Sequence, residues 1–256
     1  SRHYNMENYI YLKSKLLSNL RESEYAVLNY DDKTVRNFSE KTKGKVVYFS
    51  AETEVNGAYV SDGAIFYKGK RLAELSSLPV SGEHNVLNLL AAVCVAEIMG
   101  MSDEAIFEGI RGFKGVKHRI QYVKTVMGID YYNDSKATNA DASEKAIDAM
   151  KKPVVLILGG KDKGLDFDSL FVKIKNSQVK SVVLTGESAP RLYNAAQKAG
   201  CENVFVASDF EIAVRLASFI AKSGDAVLLS PACSSYDRFS SFEERGDEFI
   251  RIVEAL

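Results

Sequence analysis

Apolar residues along this chain fall into short runs separated by polar, glycine-bearing breaks, and the period within each run predicts the element it forms. In MENYIYLKSKLL (6–17), Tyr9, Leu12, Leu16 and Leu17 recur at helical spacing and predict a helix. Tyr25–Asn29 reads as a short strand, followed at once by Asp31 and Asp32, carboxylates that in such a place can reach a metal-bound nucleotide but more often only start a turn. Val46–Ser50 is a second short strand. Ala58–Ala73 alternates, with Gly63 and Gly69 at polar turns, and predicts a β-hairpin. Residues 81–101, SGEHNVLNLLAAVCVAEIMGM, predict a long apolar helix capped by Ser81 or Glu83 and ended at Gly100, and a second helix begins at Ser102-Asp103 and runs to residue 111.

GFKGVKHR (112–119) interrupts these patterns with two glycines and four basic groups, counting His118. It marks a domain boundary, with 1–115 on one side and 116–256 on the other. Beyond it, strand-like runs (Ile120–Val126, Ile129–Tyr132, Val154–Leu158, Ser181–Leu184, Asn203–Val206, Ala226–Leu229) interleave with helix-like ones (140–151, 167–176, 189–199, 209–222, 240–255). That alternation predicts an α/β fold, with βαβ units and a mainly parallel sheet covered by helices on both faces.

Composition excludes more than it selects. The 256 residues are 46% hydrophobic and 26% charged with a net charge of −1, an ordinary globular balance that offers no bulk attraction for nucleic acid or an anionic membrane. Cys94, Cys201 and Cys233 have no metal-site spacing and cannot all pair, which predicts a reduced, cytoplasmic protein. No run approaches the ~18 apolar residues of a membrane span.

Three loops of the second half carry unusual chemistry, and each follows a predicted strand. YYNDSKATN (131–139) offers Asn133, Asp134 and Lys136, with Thr138 or Asn139 available to cap the next helix. GGKDKG (159–164) has the glycines and lysines of a phosphate loop without the GxxxxGK[ST] spacing. SPACSSYD (230–237) places Ser234 and Ser235 where hydroxyls can donate to a carboxylate at a helix N-terminus, and Arg238, Phe242 and Arg245 follow. Ligands of α/β sheets bind outside the carboxyl ends of the strands. Three such loops on one edge therefore point to a site for an anionic small molecule. In the first half, His84 sits in a helix's first turn, and Asn85 and Asn88, three apart, share one side of it with the donor–acceptor pair an adenine edge needs.

HRIQYVKTVMGIDYYNDSKATN, LILGGKDKG and LLSPACSSYDRFSSFEERGDEF together resemble the C-terminal domain of the Mur ligases, in particular the branch that adds D-glutamate, and SGEHNVLNLLAA resembles the same family's central ATPase domain. The resemblance runs in order from residue 1 to 256. It implies a partial central domain followed by a Rossmann-like C-terminal domain that binds the incoming amino acid. The family's nucleotide-binding N-terminal domain and its GTNGKT-like P-loop have no match here, so the chain is expected to be part of a longer protein and inactive alone; His3 is not expected to be the family's metal-ligating His. The implied reaction is ADP-forming amide ligation. ATP phosphorylates the terminal carboxylate of UDP-N-acetylmuramoyl-L-alanine, and the amine of D-glutamate displaces phosphate from the acyl phosphate, in peptidoglycan synthesis. A folylpolyglutamate synthase-like ligase and a non-catalytic binding fragment are the alternatives.

The resemblance carries roles onto particular residues. Lys13 matches a carbamylated lysine that would act as a carboxylate-like ligand of Mg²⁺. Asn88 matches an adenine contact, with His84 and Asn85 beside it, and Arg119 matches an arginine that reaches the nucleotide. Asp134 matches the acid that holds the ribose hydroxyls, and Lys136 the lysine near the transferring phosphate. Thr138, Lys163, Ser235 and Phe242 match the D-glutamate site, with Lys161 as a rival to Lys163. Tyr236 stands where a small apolar residue is frequent. Closure about 112–119 is expected to complete the site. The implied partners are small molecules only, ATP, D-glutamate and the UDP-sugar, bound by a monomer.

Overall fold

The computed structural model describes residues 6–78, 83–113 and 115–256, and the side chains of Glu83 and His84 lie outside that description. Neither proposed cap of the long helix is therefore described, Ser81 lying outside the described residues and Glu83 by its side chain, and His3 is outside them too. The chain forms two compact units, Ser1–Lys114 and Gly115–Leu256.

The first unit opens with helix α1 (Met6–Ser18), then β1 (Tyr25–Asn29), the single turn α2 (Lys33–Arg36) and β2 (Lys45–Ser50). Asp32 caps that turn, its Oδ1 accepting from Thr34 N at 2.8 Å and Val35 N at 3.0 Å. The predicted hairpin is a three-stranded meander: β3 (Ala58–Ser61), β4 (Ala64–Tyr67) and β5 (Lys70–Glu74) pair antiparallel, because Gly63 and Gly69 each reverse the chain. The sheet runs β1-β2-β3-β4-β5, with the first three strands parallel. Helix α3 (Glu83–Ile98) packs Leu89, Leu90, Val93 and Cys94 on it, together with Ile106 and Ile110 of α4 (Asp103–Arg111), whose N-cap is Ser102.

Helix α1 departs from expectation in its facing. Its period is helical, yet Leu16 is 71% exposed and Tyr9 and Leu12 are exposed too, while the one buried side chain is Ser14. Ser14 faces the turn at 37–41, where Lys41 Nζ reaches its hydroxyl at 3.4 Å. The described chain thus buries a polar residue of this helix, while Leu12 and Leu16 of its apolar stripe stay exposed and Leu17 is half-buried.

The second unit is a six-stranded sheet in the order β10-β9-β8-β11-β7-β6. Here β6 is Gln121–Val126, β7 Ile129–Asn133, β8 Val154–Gly159, β9 Val179–Thr185, β10 Val204–Val206 and β11 Ala226–Leu229. All neighbours pair in parallel except β6, which returns on β7 through the Met127-Gly128 turn. The central strand β8 is buried at every position, as a strand covered on both faces must be. One face is covered by α5 (Ala140–Ala149), α6 (Asp168–Lys175) and α7 (Ala189–Ala199), which bring Ile147, Phe171 and Leu192 onto Leu156 and Leu158. The other is covered by α8 (Phe210–Ile220) and α9 (Phe242–Glu254), which bring Val214 and Phe249 onto Val155 and Ile157. The mainly parallel α/β architecture is therefore as the alternating pattern implies.

Candidate functional site

Strands β8, β11 and β7 lie side by side and run parallel, so the loops that follow them, after Gly159, Leu229 and Asn133, emerge at one edge. Close approach there depends on glycine. A Cβ on Gly159, at φ +128°, would lie 1.8 Å from Thr185 O, and one on Gly160, at φ +147°, would lie 2.3 Å from Ser234 O. Three non-glycine residues at this edge, His118, Ile120 and Ala232, also hold φ between +44° and +62°, the kind of local strain that accumulates at functional sites.

Asp134 follows β7 directly and is 4% exposed. Its Oδ1 accepts from Ile120 N at 3.2 Å and its Oδ2 from Ser230 Oγ at 2.7 Å. Each oxygen keeps one further acceptor position. Burial pushes this carboxyl up to about 6, against the pull of Ser230, Ile120 and the Arg119 charge. Lys136, two residues on, is exposed. Its backbone N donates to His118 O at 3.0 Å, and its Nζ sits 5.4 Å from the centre of the Phe242 ring. Asn139 takes the cap of α5, accepting from Ala142 N at 2.8 Å, and the half-buried Thr138 is not used for that purpose.

Two buried polar groups that sequence reasoning did not select hold the loops together. Arg245 of α9 is 2% exposed and, among the described residues, has no carboxylate in its hydrogen-bond shell. Its Nε donates to Ser135 Oγ at 2.9 Å, and its Nη2 donates to Ser135 O at 2.9 Å and Cys233 O at 3.0 Å, with Gly159 O at 3.4 Å from Nη1. One guanidinium thus touches all three loops. Burial lowers it to about 10. His118 is the second: Asn133 Nδ2, which can only donate, lies 3.0 Å from its Nδ1 and also donates to Gly246 O at 3.0 Å. The imidazole therefore accepts at Nδ1, and burial holds it below the ordinary histidine range, with Asp247 pulling the other way. A long-range guanidinium–carbonyl cradle has no local spacing, so only the position of Arg245 in the FEERG run hinted at it.

The lysines of GGKDKG divide by their partners. Lys161 N donates to Ser234 O at 2.8 Å, and its Nζ pairs with Glu187 Oε2 at 2.6 Å. Asp162 accepts from Arg191 Nη1 at 2.8 Å and from Gly164 N at 2.8 Å. Lys163 is exposed, and its Nζ lies 5.8 Å from the centre of the Tyr236 ring. Among the described residues neither Lys136 nor Lys163 has a carboxylate within ion-pairing distance.

Ser234 and Ser235 correct one expectation. Both are buried, but no helix starts beside them, because α9 begins only at Phe242 with Ser241 as its cap. The Ser234 hydroxyl has no hydrogen-bond partner among the described residues, and the same holds for Thr185 Oγ1. A groove of about 680 Å³ at the end of the GGKDKG loop is lined by Gly164, Leu165, Arg191, Asn194 and Lys198 among others, and by none of the residues to which the resemblance gives a role.

In the first unit, Lys13 is exposed with its Nζ 5.4 Å from the Tyr9 ring centre, Asn85 is half-buried, and Asn88 is exposed on α3. The side chain of His84 lies outside the described residues. Asp31 accepts on both oxygens, from Ser50 Oγ on one and from Ala51 N at 2.8 Å on the other. Among the described residues no three His, Cys, Asp or Glu side chains converge on one point, so these residues present no preformed Mg²⁺ shell. Nor is any helix among them long and apolar enough to cross a membrane.

A parallel sheet whose adjacent strand ends present a buried carboxyl and two uncompensated ammonium groups defines an α/β unit suited to anionic small molecules. Residues 1–96 match the family described as Mur ligase middle domain, and residues 118–233 match Mur ligase, glutamate ligase domain. The chain belongs to the Mur ligase family. It is 46% identical over 255 residues to a UDP-N-acetylmuramoylalanine--D-glutamate ligase of Caldanaerobacter subterraneus subsp. tengcongensis, covering 98% of this chain and 56% of that protein. It is 43% identical to the enzyme of the same name from Bacillus cereus, covering 99% of this chain and 56% of that one. The chain thus spans little more than half the length of these relatives. Among solved structures, the MurF ligase of Thermotoga maritima in complex with ADP superposes with a TM-score of 0.68 at 17% identity, over 99% of this chain and 59% of that one. A folylpolyglutamate synthase of Mycobacterium tuberculosis complexed with ADP gives 0.61 at 16% identity, over 86% and 52%. At such identities the likeness is one of fold.

Proposed function

We propose that this chain is part of an ATP-dependent amide ligase that joins D-glutamate to UDP-N-acetylmuramoyl-L-alanine. The observation that carries this is the pair Lys136 and Lys163, two loop ammonium groups at the strand ends that no carboxylate among the described residues neutralises. The names of relatives at 43–46% identity over nearly the whole chain supply the substrate class. In this reading ATP converts the acceptor carboxylate to an acyl phosphate, the D-glutamate amine adds to its carbonyl carbon, and phosphate leaves. Lys136 offsets the negative charge that builds on the transferring phosphoryl oxygens. Lys163 takes the side-chain carboxylate of D-glutamate, in preference to Lys161, whose charge Glu187 already meets. Thr138 and Ser235 donate to the amino acid, and the Phe242 ring backs it. Asp134 accepts from the ribose hydroxyls with its two remaining acceptor positions, Arg119 meets the nucleotide phosphates, and His84, Asn85 and Asn88 serve the adenine. Bound Mg²⁺ would neutralise phosphate charge, and a carbamylated Lys13 would supply one of its oxygen ligands.

The test is phosphate release by the full-length protein with ATP, Mg²⁺ and UDP-N-acetylmuramoyl-L-alanine, with and without D-glutamate. Release that depends on D-glutamate, lost in Lys163→Ala and kept in Lys161→Ala, is expected. Release that proceeds equally with L-glutamate or without any amino acid refutes the reading.

A further inference from the structure

Lys163 is met by a ring face, and among the described residues by no acid. Its loop is fixed upstream by the Lys161–Glu187 pair and the Asp162–Arg191 pair, and Lys161 N is pinned to Ser234 O at 2.8 Å. Lys163 and Tyr236 each lie two residues beyond that pin, one on each loop, and they meet with the ammonium 5.8 Å from the ring centre. Tyr236 is 65% exposed, a cost for a large aromatic side chain unless the ring has a use at the surface. The neighbouring lysine repeats the arrangement, with Lys136 over Phe242 at 5.4 Å. Both rings come from the segment 236–242 that follows the buried Ser234-Ser235 pair.

A ring face attracts an ammonium through its quadrupole without cancelling the charge. A carboxylate partner holds a lysine as well, but an incoming anion must then displace it, as it would at Lys161. The ring therefore restricts a flexible four-carbon stem in advance while leaving its full charge for a ligand, which lowers the ordering cost of binding.

We infer that Tyr236 is a positioning residue that holds Lys163 over its ring for the side-chain carboxylate of the incoming amino acid. The inference rests on the assignment of that carboxylate to Lys163. Its effect is confined to the incoming acidic amino acid and does not extend to the nucleotide. In the full-length protein, Tyr236→Leu is expected to raise the KM for D-glutamate about 2–5-fold, the size of an exposed cation–π contact, and the KM for ATP is expected to stay level. Tyr236→Phe, which keeps the ring and drops the hydroxyl, is expected to restore the D-glutamate KM. In a Lys163→Met background, Tyr236→Leu is expected to add less than about 1.5-fold, because the partner it positions is gone.

A Tyr236→Leu chain with wild-type KM for D-glutamate overturns the inference. So does one whose KM values for ATP and D-glutamate rise together, or whose full effect persists without Lys163. A wild-type chain that releases phosphate without regard to D-glutamate overturns the underlying assignment instead, so the two failures read differently.

Discussion

Asp134→Asn sets stability against function in opposite directions. In the folded chain this carboxyl rises from an ordinary 3.8 to about 6 because it is buried, and its two hydrogen bonds offset only part of that burial. At about 1.4 kcal/mol for each pKa unit, keeping it ionised at pH 7 costs the fold about 3 kcal/mol. The sign follows from proton binding. Between pH 3.8 and about 6 the folded state holds more protons than the unfolded one, so this group's contribution to stability falls as pH rises through that window and is level above it. Asparagine removes the charge and keeps the shape. Its Oδ1 still accepts from Ile120 N, and its Nδ2 donates to Ser230 Oγ. The Ser230 hydroxyl is then free to donate to Ser143 Oγ, 3.0 Å away, which it cannot do while it donates to the carboxylate. The variant is therefore expected to be more stable than wild type at pH 7 by up to about 3 kcal/mol, and the gap should shrink to below about 1 kcal/mol near pH 4. The assay is urea denaturation of both full-length proteins at a series of pH values, with ATP turnover alongside. In the proposed reading the variant loses a charged acceptor for the ribose hydroxyls, which should raise the KM for ATP about tenfold or more. A variant less stable than wild type at pH 7, or a gap that does not close in acid, refutes this account of the buried carboxyl.

Two further expectations concern groups that hold the loops. Arg245→Met removes the donors that meet Ser135 O, Cys233 O and Ser135 Oγ, and leaves those buried acceptors short of partners; it should destabilise the protein by about 2–4 kcal/mol in urea denaturation, and a loss under about 0.5 kcal/mol would mean the cradle carries little. Thr185 Oγ1 is buried without a partner beside a cavity of about 10 Å³ lined by Asp237 and Arg245, room for one water. A crystal structure at better than about 2 Å should show an ordered water within hydrogen-bond reach of that hydroxyl, and an empty cavity would refute it.

What the sequence revealed and what it hid have physical causes. The parallel sheet was legible because covered strands leave continuous apolar runs such as VVLIL, and because each run is followed by a helical period. The three loops stood out because glycine, lysine and serine cluster in them directly after such runs. Their common edge follows from β8, β11 and β7 being parallel neighbours. The facing of α1 was not legible, since a helical period says that one side is apolar but not whether anything covers it. Nor were the partners of Arg245 and His118, which lie in segments far apart in the chain. Lys161 and Lys163 are indistinguishable in GGKDKG, and they separate only because Glu187, at the end of another strand, reaches the first.

The distribution of counter-charges at this edge follows one rule. Groups that shape the loops are matched inside the protein: Lys161 by Glu187, Asp162 by Arg191, and Arg245 by carbonyl oxygens. In the proposed reading the groups that meet a ligand are left without a close ion pair among the described residues, Lys136 and Lys163 on ring faces and Asp134 where burial raises its pKa. An unmatched charge is unfavourable in the empty protein and becomes favourable when an anion or a hydroxyl pair arrives. Differential binding draws on that difference, and a fully paired edge would have nothing to offer. The rule also forecasts the direction of substitutions here. Neutralising a matched group should weaken the fold, as at Arg245, whereas neutralising an unmatched one should strengthen it or leave it level while impairing binding, as at Asp134. A survey of the six charged positions in which Lys136→Met or Lys163→Met cost as much stability as Arg245→Met would show that the edge is built for folding rather than for a ligand.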